Sequence, residues 1–71
     1  MFKKWVIDKY VGKDTPRGDF ARDCRADRQF PRKDDHDLIG LHLSACGACY
    51  EARAVFESLW LEYCREVKRN K

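Results

Sequence analysis

Apolar side chains recur along this chain at three- and four-residue spacing, and no stretch alternates with period two for long enough to predict a strand. Phe2, Trp5, Val6 and Tyr10, with Lys3, Lys4, Asp8 and Lys9 between them, predict a first helix ending near Val11, with Gly12 as its stop. Thr15-Pro16 predicts the start of a second. Threonine can cap a helix, and proline's missing N–H costs nothing at the first helical position. That helix is expected to run to about Arg28, turn Phe20, Ala21 and Cys24 inward, and end before Phe30-Pro31. Asp34 or Asp35 can cap a third helix with Leu38, Ile39, His42 and Leu43 facing inward and Asp37 at its positive end. Gly47 marks a turn. Beyond it, Cys49, Ala52, Phe56, Leu59, Trp60, Tyr63, Cys64 and Val67 form the longest apolar stripe, predicting a fourth helix from about Ala48 into the tail. The expected fold is all-α: one domain over residues 1–71, a compact four-helix bundle with the C-terminal helix longest.

Composition narrows the function classes. Seventy-one residues with 44% hydrophobic and 13% aromatic content suit one small folded domain rather than a disordered tail. A chain this short buries only about 60% of its unfolded surface, so its core leaves little room for a catalytic constellation. No enzyme activity is expected. No apolar run reaches the roughly 18 residues of a membrane span. Asp8 and Lys9 cut short the Trp5-Val6-Ile7 run, so no secretory leader is expected either. The four cysteines then read as reduced thiols in a cytosol.

The net charge of +3 conceals opposed regions: +5 over residues 1–33, −5 over 34–63 and +3 over 64–71. A candidate basic surface comprises Arg22, Arg25 and Arg28 on the second helix with Arg65, Lys68 and Arg69 near the end. With Arg17, Arg32 and Lys33, these residues could neutralise phosphates. Alternatively, they pair with Asp19, Asp23 and Asp27 as a solvated face. The candidate acidic surface is Asp34, Asp35, Asp37, Glu51, Glu57 and Glu62. Major-groove reading by the third helix is disfavoured, because Asp34, Asp35 and Asp37 at its start would repel phosphates.

Cys46-Gly47-Ala48-Cys49 is the one motif with a chemical look. Two thiolates across a tight turn suit Zn²⁺, with Cys24, Cys64, His36 or His42 as the remaining candidates. No second paired motif completes the set, and Cys24 and Cys64 fall on core stripes, so structural cysteines are the expectation. A thioredoxin-type redox site needs its first cysteine at a helix start after a strand, whereas Cys46 is expected to end a helix. His42 reads as a core histidine with a hydrogen-bonded tip, and His36 as exposed. Neither Ser44 nor Ser58 carries a signature of activation, and no glycine-rich phosphate loop is present. No cofactor and no small-molecule substrate are expected.

Taken in order, Phe2-x-x-Trp5, the stretch from Gly12 to Ala21, Asp27-x-x-Phe30-Pro31, Ile39-x-x-His42-Leu43 and Phe56-x-x-x-Trp60-x-x-Tyr63 resemble the YozE-like family of small bacterial proteins. These proteins are similar to sterile alpha motif (SAM) domains. The resemblance implies a four-helix SAM-like bundle in a short cytosolic protein and supplies no enzyme activity. Two features depart from the pattern: His42 stands where an aromatic such as tyrosine is expected, and the four cysteines are extra. SAM domains often associate through an acidic middle surface on one copy and a basic end-helix surface on another. Such a contact is heterologous and builds open chains unless its geometry closes. The expected function is a cytosolic interaction module binding a protein partner or itself, with nucleic acid as the alternative.

Overall fold

In the computed structural model, which describes residues 1–68 (the last through its backbone alone), four α-helices follow one another. They are α1 (Phe2–Tyr10), α2 (Pro16–Ala26), α3 (His36–Ala45) and α4 (Tyr50–Tyr63), the last being longest at 14 residues. A π-helical turn, Cys64–Lys68, continues α4. No strand occurs among the described residues, and no helix among them is long and apolar enough to cross a membrane.

Helix ends expose backbone groups with no intrahelical partner, and this chain satisfies them in three ways. Thr15 is extended and accepts a hydrogen bond from the Gly18 N–H at 3.2 Å, with Pro16 at the first helical position. Asp35 caps α3 by accepting from the Leu38 N–H at 3.1 Å. At the other end of α3, the Gly47 N–H bonds the Ser44 carbonyl and the Ala48 N–H bonds the Leu43 carbonyl, each at 3.0 Å. This Schellman arrangement needs a left-handed residue after the cap, and Gly47 supplies it at φ +76°.

Helix α1 has no local cap, since Met1 offers no side-chain bond. Asp34, 32 residues away in the chain, accepts the Phe2 N–H at 2.8 Å. Its second carboxylate oxygen accepts the Tyr63 hydroxyl. One carboxylate thus joins the start of α1, the segment before α3 and the end of α4.

The core is largely aromatic. Phe2, Val6, Phe20, Ala21, Cys24, Phe30, Ile39, Leu43, Phe56, Leu59 and Tyr63 are buried. Phe2 lies at the centre, edge-on to Phe56 and Tyr63 with centroids at 5.6 and 5.5 Å. Edge-to-face pairs of this kind add to the burial energy of the rings.

Two helix boundaries and the inward face of α3 differ from the pattern-based expectation. Helix α2 stops at Ala26, because Asp27 turns extended and its side chain captures the Gln29 N–H at 2.9 Å. Arg28 therefore lies beyond the helix and does not extend a stripe from Arg22 and Arg25. On α3, Leu38 is 40% exposed, leaving Ile39 and Leu43 as the buried residues. Helix α4 starts at Tyr50, which leaves Cys49 outside it and exposed, and Val67 at the far end is 49% exposed.

Gly18 on α2 packs against the backbone of the α1–α2 connection, where a Cβ would sit 1.9 Å from the Lys13 carbonyl oxygen. Backbone cannot yield as a side chain would, so Gly18→Ala should destabilise the fold by about 2 kcal/mol or more. Gly12→Ala, with open space around it, should leave the denaturant midpoint nearly unchanged. Asp34→Ala strips partners from two groups at once and should cost about 2 kcal/mol. Urea unfolding of the three variants with a shared m-value checks the ordering, and an unshifted midpoint for Asp34→Ala would refute the capping role.

Candidate functional site

The acids assigned to one surface divide on folding. Glu62 sits between α1, α2 and α4, where it accepts from the Tyr10 hydroxyl at 2.8 and 2.9 Å and from Lys9 at 2.8 Å. Arg17 also donates to it, and passes a second bond of 2.7 Å to the Ser58 hydroxyl. Burial alone would raise the Glu62 carboxyl, but the bonds from Lys9, Tyr10 and Arg17 outweigh it and hold the group at about 2. Lys9 is raised in turn by Glu62 and by Glu66, which it also contacts in the π-helical turn. Asp34 and Asp35 serve as caps. Glu57 and Asp37 flank His36 at 2.7 and 3.0 Å, and together they raise its pKa, Glu57 more strongly. That leaves Glu51 exposed without an ion-pair partner among the described residues.

The bases divide differently. Arg22 donates to the Val11 and Lys13 carbonyls at 2.9 and 3.0 Å and pairs with Asp19, so it staples the α1–α2 turn. Arg25 on the last turn of α2 and Arg28, Arg32 and Lys33 in the segment before α3 are exposed and have no ion-pair partner among the described residues. Arg65 is exposed as well. The Lys68 side chain and Arg69 lie outside the described residues.

The third candidate, the cysteine set, does not stay together. Cys24 is buried, and desolvation pushes its thiol up to about 12, so it is a neutral core group. Cys64 is half-buried at the end of α4, away from the other three. Cys46 and Cys49 are exposed, which corrects the expectation that the cysteines are structural members of the core. Both belong to the α3–α4 turn, Cys46 as the C-cap of α3 and Cys49 as the N-cap of α4. They border a cleft of about 280 Å³ with Cys24, Phe30, Leu43 and Asp27.

At this cleft the His42 Nε2 meets the Asp27 Oδ2 at 2.6 Å and the Cys46 Sγ at 3.6 Å. The His42 bond is the main cause that holds the Asp27 carboxyl below its usual range. Asp27 does not share with Asp19 and Asp23 the solvated flank that its spacing predicts, but turns toward α3. His42 also rests edge-on to Phe30, with centroids 5.7 Å apart.

Compared with known families, residues 2–65 match the YozE SAM-like fold. The chain belongs to the YozE SAM-like fold family. No curated protein and no solved structure matches it. In this YozE SAM-like domain, the residues that carry the resemblance are chiefly packing residues. Phe2, Phe20, Phe30, Phe56 and Tyr63 are buried together, while Thr15, Pro16 and Gly18 build the start of α2. His42, the departure from the pattern, contacts two residues that line the cleft, Asp27 and Cys46.

Because the folded Glu62 carboxyl titrates at about 2 against an ordinary value of 4.5, it stabilises the domain fully above the unfolded value. This stabilisation disappears as pH falls from about 4.5 toward 2. Discounted for partial exposure, the effect should be about 1–2 kcal/mol. Glu62→Gln should lower stability at pH 7 by this amount and show a shallower acid limb. Parallel limbs in urea titrations of the two proteins between pH 2 and 7 would exclude Glu62 as the source.

Proposed function

We propose that this YozE SAM-like domain is a non-enzymatic, cytosolic interaction module that binds an acidic protein partner through Arg25, Arg28, Arg32 and Lys33. The observation that carries this reading is an imbalance in how charge is used. Most acids of the middle region are engaged within the fold, whereas these four bases are exposed and unpaired among the described residues. A like-with-like contact between copies needs both signs on offer, so a partner supplying the acid fits better than a second copy. Exposed Leu41 and Tyr50, at 70% and 79%, suit a protein contact more than a phosphate track.

The non-enzymatic part rests on the state of the nucleophiles. The Ser58 and Ser44 hydroxyls accept from Arg17 and Arg53. Cys24 is held as a thiol by burial. Cys46 and Asp27 approach the same ring nitrogen of His42, whereas a nucleophile–base–acid relay uses the two nitrogens separately.

Nucleic acid is the second reading, favoured by the same unpaired Arg25 and Arg28. A charge-reversed variant, Arg25→Glu with Arg28→Glu, separates the two. Capture from native cytosol, with and without nuclease, should recover a salt-sensitive protein that resists nuclease and falls about tenfold with the variant. Recovery that nuclease abolishes would instead establish the nucleic-acid reading. Recovery unchanged by charge reversal would eliminate both.

A further inference from the structure

We propose that Asp27, His42 and Cys46 form a binding site for a zinc-class divalent metal ion that ties the end of α2 to the end of α3. The Asp27 Oδ2, His42 Nε2 and Cys46 Sγ all lie within 4.8 Å of one another. They converge on one region from separate segments, and each segment is fixed by its own backbone bonds. The capture of the Gln29 N–H by the Asp27 side chain sets the turn after α2, and the Gly47 Schellman turn sets Cys46 at the end of α3. The site is independent of the cationic residues invoked above.

Ligand spacing supports coordination. Bond lengths of about 2.3 Å to sulfur and 2.0–2.1 Å to nitrogen in a tetrahedron place the two atoms about 3.6 Å apart. The Sγ and Nε2 of Cys46 and His42 are 3.6 Å apart. The 2.6 Å between His42 and Asp27 is a hydrogen bond, closer than two ligands of one ion stand. On metal entry the Cys46 S–H proton leaves to solvent and the His42 ring proton moves from Nε2 to Nδ1, which frees the Nε2 lone pair for the ion as nitrogen and oxygen separate by less than about 1 Å. A mixed thiolate, imidazole and carboxylate set selects a borderline-soft ion such as Zn²⁺ over Mg²⁺ or Ca²⁺. Cys46 is exposed, so water is available to fill the fourth position. This set differs from a four-cysteine site: Cys24 is buried in the core, and Cys64 does not border the cleft.

The test uses the whole reduced chain, freed of metal by chelator and titrated with Co²⁺ and then Zn²⁺. The expected result is one equivalent of Co²⁺ with the visible bands of a tetrahedral ion and a thiolate-to-cobalt charge-transfer band, displaced by Zn²⁺. Cys46→Ser, at an exposed position that leaves the core untouched, should lower affinity at least 100-fold, more than loss of an outer-shell partner does. Asp27→Asn should lower it about tenfold, and Cys64→Ser should leave it unchanged. In parallel, Zn²⁺ should raise the Tm of the parent chain but not of Cys46→Ser. Absence of the tetrahedral bands, their persistence in Cys46→Ser, or their loss in Cys64→Ser would overturn the site.

Discussion

The fold depends on satisfying one backbone amide. Phe2 is both the most central ring of the core and the first residue of α1, so its N–H lies at a helix end with no internal acceptor. Burying that ring is favourable only if the amide beside it is not left unpaired, which would cost a sizeable part of a small domain's stability. Asp34 solves this from across the chain and accepts the Tyr63 hydroxyl with its other oxygen. Burial raises the Tyr63 pKa, and the Asp34 bond reinforces the shift, so the phenol remains a donor at any ordinary pH. The segment before α3 thereby takes its place from the aromatic core rather than from its own weak propensity.

That solution helps to determine what the surface can do. Asp34 and Glu62 are committed between helices, Asp35 caps α3, and Glu57 and Asp37 hold His36, whose ring stacks on Phe56 at 5.3 Å. On the basic side Arg17 and Arg22 do similar work, but the four bases from Arg25 to Lys33 take no part in it. A chain with opposed charged regions becomes a domain with a more one-sided surface. Counting charges along the sequence cannot reveal that change, because it does not separate an acid paired within the fold from one left free.

The helix count, the Thr15-Pro16 start of α2, the Gly47 turn and most of the aromatic core were legible because each rests on local spacing. What escaped was tertiary. A cap supplied 32 residues away leaves no mark beside Phe2, and an acid at i+4 from Asp23 looks the same whether it meets water or His42. The apolar stripe of α4 suggests a start about two residues too early, because Cys49 fits the period although the helix opens at Tyr50. Of the three residues that meet beside the cleft, His42 and Cys46 were visible four apart on a predicted helix. Asp27 was the missing member, since only the early end of α2 turns it toward them.

Helix α3 joins these themes. It enters the core through Ile39 and Leu43, and its two histidines add ties that are polar at the ring nitrogens, His36 to Glu57 and His42 to Asp27, and aromatic at the ring, His36 to Phe56 and His42 to Phe30. Asp27 is also the first residue of the segment that carries Arg28, Arg32 and Lys33. Asp27, held against α3 by His42, therefore fixes where that cationic segment begins.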